Sequence, residues 1–383
     1  MRLRLLIITA LCVLVGGCVA QPAQVNVRFT STALSRTSTH GEADRASHRH
    51  VKATDPVRIA SVSKLVTALG VMRMVETGHL RLDDDVQRRL GWPLRNPAYP
   101  NTAITLRMLL SHTSSLNDGV DYVVPLGRRL QDVLADPRAW DATHVPGHYF
   151  KYANINFPVI ASVMEATSGE RFDSLMERLV FKPLALDACF NWTTCSDQTV
   201  AKAVVLYDQN GTVRKDDLHG RRPGCPVATL DNCDLSRWHA GENGALFSPQ
   251  GGLRISMLGL AQIGQLLLGE DGSFLTRESY QLLKQPVWTF DGKNGDSEDG
   301  FYCAYGLAVQ QLSSPFVMCH DNPLGDGARR FGHAGEAYGL RSGLWLDTAT
   351  HTGVAFFVSA VPDEAPKGRH SSFTAAEERM IGY

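Results

Sequence analysis

A serine and a lysine three positions apart, Ser61 and Lys64, have a spacing suited to catalysis. A serine hydroxyl becomes a good nucleophile only when a neighbouring base removes its proton. Residues three apart stand on one face of an α-helix, so the lysine amine can reach the serine hydroxyl there. A lysine side chain, with a reference pKa of about 10.4, acts as a base only when burial or nearby positive charge lowers that pKa. The pair therefore predicts a nucleophile and its proton acceptor.

The surrounding sequence predicts a helix that begins at this serine. Apolar residues recur at helical spacing from Ser61 to Glu76, and Gly78 follows where a helix would end. The first turn of such a helix offers backbone N–H groups and positive potential to a developing oxyanion. One serine–lysine spacing of this kind arises readily by chance, although among the lysines of the chain only Lys64 has it. The assignment therefore needs further residues.

Tyr152-Ala-Asn154 supplies a second pair of candidate groups. A phenol can relay a proton between Ser61 and a leaving group, and an amide can hold the substrate or orient the lysine. The segment follows the turn-forming Pro146-Gly147 and precedes an amphipathic helical pattern. Another Tyr-x-Asn, at 99–101, lies in a Pro-rich loop and is the weaker candidate.

Gly332-His333-Ala-Gly335, at the head of a predicted strand, is the third candidate segment. The His333 side chain would face the site, and the small Gly335 beside it would let substrate approach. His112 is the histidine that a search for a Ser-His-Asp triad would select. The chain contains no Gly-x-Ser-x-Gly motif, however, so we interpret His112 as structural.

Cysteines beyond residue 100 fall into three close pairs. The pairs are Cys189 with Cys195, Cys225 with Cys233, and Cys303 with Cys319. Six cysteines can pair in many ways, but neighbour pairing is the simplest arrangement in an oxidising compartment. A zinc site is the alternative, yet no Cys-x-x-Cys spacing occurs. We predict three disulfides, no metal ion and no cofactor.

The N-terminal residues resemble a bacterial lipoprotein signal. Basic residues precede an apolar run, Leu5–Val15, which is shorter than the roughly 20 residues needed to span a bilayer. It leads to Val15-Gly-Gly-Cys18, similar to a lipobox whose cysteine is lipidated and becomes the mature N-terminus. An ordinary signal peptide, with Cys18 incidental, is the alternative. In a Gram-negative cell, Val19 rather than Asp after the cysteine favours the outer membrane.

These features predict an exported cell-envelope lipoprotein on the periplasmic face of the outer membrane. Residues 1–17 would be the signal peptide, and the lipid on Cys18 would be the membrane contact. The formal net charge is −1 with mixed acids and bases, so no basic stripe indicates a nucleic-acid partner. The expected partner is a small-molecule or peptide substrate, and the sequence does not specify an oligomeric state.

The order of patterns is β, then a long helical middle, then β, then helix. Predicted helices and strands are listed by residue: helices Ser61–Glu76, Thr105–Leu110, Phe157–Thr167, Phe172–Val180, Leu258–Leu268 and Thr374–Ile381; strands Val25–Phe29, Tyr305–Val309, Leu340–Leu346 and Val354–Val358. This order predicts an α/β fold: an antiparallel sheet flanked by helices, built from both chain ends, with an all-helical lobe at about 79–240 inserted. We place an N-terminal segment at 18–55, the main domain at 56–365 and a C-terminal helix at 366–383.

The three segments together resemble those of the β-lactamase-related serine hydrolases, a family of class C β-lactamases, D-Ala-D-Ala carboxypeptidases, D-aminopeptidases and family VIII esterases. Ser61-Val-Ser-Lys64, Tyr152-Ala-Asn154 and His333-Ala-Gly335 match its three motifs in order. The resemblance runs from about Arg58 to Val358. Supporting segments are Gly78–Val86, Leu109–Ser114, Pro146-Gly147, Lys182–Leu184 and Gly251–Leu253.

The resemblance implies a role for each matched residue. Ser61 would be acylated, Lys64 and Tyr152 would move the proton, and Asn154 would position the substrate. The backbone N–H groups of Ser61 and Glu336 would form the oxyanion hole. The implied fold is that of β-lactamases and penicillin-binding proteins.

Several departures bear on the substrate. His333 stands where class C β-lactamases have lysine, and a histidine with a reference pKa of about 6.5 is a weak anchor for a β-lactam carboxylate at neutral pH. Ser114-Ser115 replaces the usual Ser-Gly, and the segment before Ser61 is short and polar. The cysteine-bearing stretch 189–233 would lie near the cleft rim and set specificity. The expected activity is hydrolysis of an ester or peptide amide; a true β-lactamase and a non-catalytic penicillin-binding envelope protein are the alternatives.

Overall fold

The computed structural model describes residues 21–382, so the predicted signal peptide and Cys18 lie outside the described residues. Its strands are β1 Gln24–Thr30, β2 Leu34–His40, β3 Glu42–Asp44, β4 Arg49–His50, β5 Val57–Arg58, β6 Cys189–Phe190, β7 Leu206–Tyr207, β8 Val213–Lys215, β9 Leu253–Ile255, β10 Trp288–Thr289, β11 Ala304–Tyr305, β12 Gln310–Leu312, β13 Arg330–Ala337, β14 Leu340–Asp347 and β15 Thr352–Val358. Its α-helices are α1 Val62–Glu76, α2 Gln87–Leu90, α3 Leu106–Leu110, α4 Leu130–Leu134, α5 Asn156–Ser168, α6 Phe172–Met176, α7 Asp197–Val200, α8 Met257–Gly269, α9 Arg277–Lys284 and α10 Ala375–Gly382.

The main sheet joins the two ends of the described chain. Its eight strands lie in the order β10-β11-β12-β13-β14-β15-β1-β2, and every neighbouring pair is antiparallel. Val25 of β1 lies opposite Phe357 of β15. The sequence analysis set residues 18–55 apart from the domain, but β1 and β2 belong to its main sheet. The predicted antiparallel sheet with flanking helices is confirmed.

Alternating side chains in β14 and β15 bury both faces of this sheet. Leu344 and Ala355 belong to the large core that includes α1 and α8. Trp345 and Phe356 point the other way, into a smaller apolar cluster that includes Met380 of α10. A period of two places successive side chains on opposite faces, so a strand covered by helices on both sides is apolar throughout.

The chain between α1 and β9 carries helices α2 to α7 on one side of the site. It is not entirely helical, because β6 pairs with β9 and β7 pairs with β8. No helix within residues 21–382 is long and apolar enough to cross a bilayer.

Two element predictions were wrong in part. The helix predicted for 172–180 is α6 followed by a π-helical turn at Glu177–Phe181. The strand predicted for 305–309 is a turn between β11 and β12, closed by a hydrogen bond from Gly306 N to Val309 O. Its apolar residues are buried because the turn packs inward, where Ala308 N donates to Leu110 O. The alternating pattern at residues 305–309 therefore reflects a buried turn rather than a strand.

Candidate active site

The strand β5 and the helix α1 place Ser61 at the bottom of a cleft. Ser61 is the N-cap residue of α1, and Ala60 before it has a φ of +46°. A left-handed conformation costs a non-glycine residue about 1–2 kcal/mol. This tight turn is stabilised by its neighbours, since Ile59 N donates to Leu253 O and Ser63 Oγ accepts from Leu253 N. The Ser61 hydroxyl, the candidate nucleophile, is therefore held at the first turn of the helix, where the sequence predicted it.

Lys64 lies on the same helical face and contacts three oxygen atoms. Its Nζ lies 3.0 Å from Ser61 Oγ, 2.8 Å from Asn154 Oδ1 and 2.9 Å from the main-chain oxygen of Gln250. Two of these partners are carbonyl oxygens, which only accept hydrogen bonds. A neutral amine that donates to both carbonyls directs its lone pair at the remaining partner. That partner is the Ser61 hydroxyl, so the geometry suits proton transfer from Ser61 to Lys64.

The electrostatics of the site favour this neutral amine. Lys64 is fully buried, and burial lowers its pKa to about 7, although the carboxylate of Asp118 acts in the opposite direction. Burial penalises the charged form of a lysine because it removes water from the ammonium group. At neutral pH a large fraction of Lys64 is therefore available as a base.

Asn154 owes its orientation to Asp118. The Asp118 carboxylate accepts hydrogen bonds from Asn154 N and Nδ2, and its other oxygen accepts from Ile155 N. A carboxylate cannot donate at neutral pH, so the amide nitrogen of Asn154 must face Asp118 and its oxygen must face Lys64. The Asp118 side chain thus fixes which atom of Asn154 meets the lysine.

Tyr152 completes the proton path, within a group of stacked aromatic rings. Its hydroxyl lies close to Ser61 and Tyr302, and its ring stacks on those of Tyr302 and His112, with ring centres 4.9 and 4.3 Å apart. Burial raises the pKa of Tyr152 above its usual range, and the nearby charges of Glu298 and Asp118 add to the increase. Tyr152 therefore remains a phenol at neutral pH and is suited to pass on a proton rather than to act as a phenolate base.

His333 lies behind the cleft rather than on its surface. Its side chain belongs to a residue only 1% exposed, and it is absent from the cleft lining. The Nδ1 atom contacts the carbonyl oxygen of Ala334, which can only accept, so Nδ1 carries the proton. Nε2 then accepts from the Tyr305 hydroxyl at 2.7 Å. Burial, with the nearby charge of Lys64, lowers the pKa of His333 to about 3. The residue is a neutral support for the tyrosines, and this geometry gives it no direct ionic contact with a substrate.

The strand β13 brings its free edge to the nucleophile. It pairs with β12 only through residues 330–332, and from His333 onward the edge opposite β14 has no strand beside it within the described chain. At Gly335, a Cβ would lie 2.5 Å from the oxygen of Ile59 and 2.4 Å from Ser342 Oγ. Only glycine allows this approach. The strand thereby lies against Ile59 and Ala60, directly before Ser61, and Glu336 follows Gly335 at the position where the resemblance places the second N–H of the oxyanion hole.

The side chains of Glu336 and His112 form structural contacts with neighbouring segments. The Glu336 carboxylate forms an ion pair with Arg341 across the β13–β14 turn. His112 Nδ1 accepts from the backbone N–H of Ala153, which holds the Tyr152–Asn154 segment in place. Burial keeps the pKa of His112 well below its usual range. This position favours the structural interpretation of that histidine.

All three predicted disulfides are present. They link Cys189 to Cys195, Cys225 to Cys233 and Cys303 to Cys319. The first two support the 189–233 segment, whose residues Trp192 and Val227 line the cleft. The third follows Tyr302 directly. The cysteine-rich stretch predicted at the rim therefore forms part of the cleft wall.

Four residues of the site were not identified from the sequence: Asp118, Gln250, Tyr302 and Tyr305. Asp118 closely follows the Leu109–Ser114 segment, and Gln250 directly precedes Gly251–Leu253, so proximity to these segments was the available signal. The two tyrosines reach Tyr152 only through the topology of the fold, and no local sequence pattern indicates this. Within residues 21–382, no group of three or more His, Cys, Asp or Glu side chains is arranged to hold a metal ion.

Comparison with known proteins agrees with this geometry. The model of the family described as Beta-lactamase matches residues 11–376. Protein flp of Staphylococcus aureus (strain N315) is 28% identical over 134 residues, which cover 34% of this chain and 27% of that protein. The chain thus spans about a quarter of the length of this curated relative.

Solved structures share the fold at low sequence identity. The octameric penicillin-binding protein homologue from Pyrococcus abyssi superposes with a TM-score of 0.66 at 18% identity, covering 94% of this chain and 72% of that one. The D-amino acid amidase from Ochrobactrum anthropi SV3, complexed with D-phenylalanine, gives 0.65 at 16% identity, covering 94% and 93%. At these identities the similarity shows the fold alone.

Proposed function

The chain belongs to the Beta-lactamase family, and from this we propose that it is a serine hydrolase that cleaves an ester or a peptide amide, of the D-Ala-type peptide or small-ester class, through an acyl-enzyme on Ser61. The observation that carries the proposal is the environment of Lys64 Nζ, which has two carbonyl acceptors and one hydroxyl within 3.0 Å. The fold is shared with a D-amino acid amidase, so amide hydrolysis is compatible with it.

Each proton has a path in this scheme. Lys64 takes the proton of Ser61 as Oγ attacks the substrate carbonyl, and the backbone N–H groups of Ser61 and Glu336 stabilise the oxyanion. Tyr152, which lies close to Ser61, passes the proton from Lys64 to the departing amine or alcohol. Water then attacks the ester on Ser61 and gives one proton to Lys64, which returns it to Oγ as the C–Oγ bond breaks. Asn154 keeps Lys64 oriented throughout.

A β-lactamase is the alternative within the same chemistry, and we rank it second. Class C β-lactamases have a lysine at the position of His333, whereas this residue is buried and neutral here. A non-catalytic penicillin-binding protein ranks below both, because the serine, the base and the relay are all in contact.

The test is intact-mass analysis of the protein over time with a p-nitrophenyl ester and with a penicillin. The proposal expects a transient acyl adduct with the ester, absent from Ser61→Ala. A stable penicillin adduct without ester turnover would favour the non-catalytic alternative. Rapid turnover of penicillin would favour the β-lactamase.

We also propose that the protein is an exported lipoprotein anchored through Cys18. The lipobox resemblance of residues 15–18 supports this, and the three disulfides agree with an oxidising compartment. Cys18→Ser should release the protein from membranes or block its processing. Normal processing with complete membrane association in that variant would contradict the anchor.

A further inference from the structure

The cleft that contains Ser61 has a volume of ≈ 1280 Å³ and is lined by charges of both signs. Glu298 lies near the phenols of Tyr152 and Tyr302, with Asp296 beside it, whereas Asp299 is paired with Lys367. The other end is marked by Tyr338, just beyond the end of β13. The distance from His333 to Tyr338 along the strand is about 16 Å, at ~3.3 Å per residue.

Arg58 lies at this second end and forms no ion pair within the part of the chain that the structure describes. The residue is only 8% exposed and lines the cleft. Within residues 21–382 no carboxylate lies within ion-pair distance of its guanidinium, and its Nε is buried without a hydrogen-bond partner. Its close contact is the ring of Tyr338, 5.1 Å from the guanidinium carbon.

The neighbouring charges compensate the Arg58 guanidinium only in part, because the nearby carboxylate is bound to another arginine. Arg254 lies directly across from Arg58 in the β5–β9 pair. Asp216 is already bound to Arg254 by two hydrogen bonds, of 2.7 and 3.1 Å, and both of these side chains are buried. Two arginines therefore share one carboxylate. Burial lowers the pKa of Arg58 only to about 10, so it stays charged at neutral pH.

We propose that Arg58 binds a carboxylate carried by the acyl portion of the substrate, the part that becomes attached to Ser61. A buried cation without a partner is unfavourable, and a bidentate carboxylate would supply the missing hydrogen bonds. This inference rests on the proposed hydrolase function and specifies its substrate class: within that class it favours substrates with an uncharged leaving group over those that release a carboxyl-terminal D-Ala.

The proton path indicates that this carboxylate belongs to the acyl group and not to the leaving group. The leaving group must meet Tyr152, which lies beside Glu298 at the acidic end. A carboxylate on the leaving group would be repelled there, whereas one on the acyl group, directed along β13, would approach Arg58. Lys215, whose Nζ lies 5.7 Å from the centre of the Tyr338 ring, adds positive charge at the same end.

The test compares two esters of equal length, mono-p-nitrophenyl adipate and its methyl ester, which differ by one negative charge. We expect the parent to prefer the anionic ester in kcat/KM. Arg58→Gln should lower the ratio of the two values by about 10- to 100-fold, the range for a hydrogen bond to a charged group. Arg58→Lys, which keeps the charge, should restore part of the ratio. Arg88→Gln, on the exposed surface of α2, is the control for net charge and should keep the parental ratio.

Binding to Ser61→Ala protein separates this inference from the proposed function. Tighter binding of adipate monoester than of its methyl ester, lost in Ser61→Ala/Arg58→Gln, supports the subsite even if no ester is turned over. Equal binding of both esters, or a ratio unchanged by Arg58→Gln in a variant whose thermal unfolding shows it is folded, would overturn it. If the anionic ester still binds more tightly than its methyl ester but the parent protein is not acylated, only the hydrolase proposal is contradicted.

Discussion

The carboxylate of Asp118 accepts hydrogen bonds from both the backbone N–H and the side-chain amide of Asn154, at 2.9 and 3.0 Å. This pair decides how Lys64 is used, because it turns the Asn154 oxygen toward the lysine amine. Asp118 itself is exposed and does not contact Lys64 through a hydrogen bond. It is a positioning residue, and it acts on the lysine in two ways: through Asn154 and through its charge.

Asp118→Asn separates these two effects. Loss of the negative charge should lower the pKa of Lys64, because Asp118 raises that pKa in the parent. The acidic limb of the kcat/KM profile should therefore move to lower pH, while the maximum rate falls because Asn154 is free to flip. A profile that keeps its position while the rate falls would mean that Asp118 acts only by positioning.

Lys64 should determine the acidic limb of the parent profile. The base must be neutral, so kcat/KM for a neutral ester should rise as pH increases through about 7, the pKa of Lys64. Lys64→Ala should reduce kcat/KM at least about 10²-fold and remove this limb. Lys64→Arg, which keeps a cation that cannot act as a base, should be as inactive. A rate unaffected by Lys64→Ala would show that another group takes the proton.

His333 should contribute no titration near its ordinary pKa. Because burial lowers its pKa to about 3, it is neutral throughout pH 5–8. Anionic and neutral esters should then follow one pH profile, measured with the adipate pair. An affinity loss confined to the anionic ester between pH 6 and 7 would instead indicate an imidazolium. His333→Lys should raise turnover of a chromogenic cephalosporin relative to a neutral ester, and an unchanged ratio would place substrate choice elsewhere.

Gly335→Ala should impair catalysis by moving β13. The new methyl group would lie 2.4 Å from Ser342 Oγ and 2.5 Å from the oxygen of Ile59, so the strand must shift away from Ser61. Overpacking of this kind costs about 1–3 kcal/mol of the free energy of unfolding. We expect kcat to change by a larger factor than KM, because the oxyanion is stabilised only during the reaction. Gly269→Ala, where a Cβ meets nothing within 4 Å, is the matched control.

The disulfide between Cys303 and Cys319 should matter more for activity than that between Cys225 and Cys233. Cys303 and Cys319 are separated by 16 positions in the sequence, and a disulfide that closes a loop of that size contributes about 3 kcal/mol to the free energy of unfolding. Cys303 also adjoins Tyr302, which stacks on Tyr152. The double Cys→Ser variant at 303 and 319 should lower both the melting temperature and kcat, whereas the pair at 225 and 233 should affect mainly the substrate range. Equal losses of kcat in the two variants would contradict this difference.

The parts of the site that are local in sequence could be predicted. Ser61 and Lys64 share one helix, and the Tyr152–Asn154 segment directly precedes another, so helical spacing and motif order were sufficient. Family membership, the antiparallel sheet and the three disulfides were predicted and are confirmed. Asp118 was missed because its partner lies 36 residues away and the contact depends on a loop.

The contacts among the buried charges could not be predicted from the sequence either. Arg58, Arg254 and Asp216 are far apart in the chain, and only the pairing of β5 with β9 shows that two arginines share one carboxylate. The buried state of His333 could not be predicted either, because its position in β13 left open which groups would cover it. The Tyr305 contact depends on the neighbouring strands of the sheet.

The pairing of β1 with β15 also constrains when the protein can fold. Gln24 lies opposite Val358, so this strand pair cannot form until nearly the whole chain is available. Contacts between residues this distant in sequence close slowly, because the entropy of the intervening loop must be lost first. A nascent chain would remain without the β1–β15 pair throughout most of synthesis, with its first two strands separated from the rest of the sheet. On the export route proposed above, closure of the sheet would follow translocation.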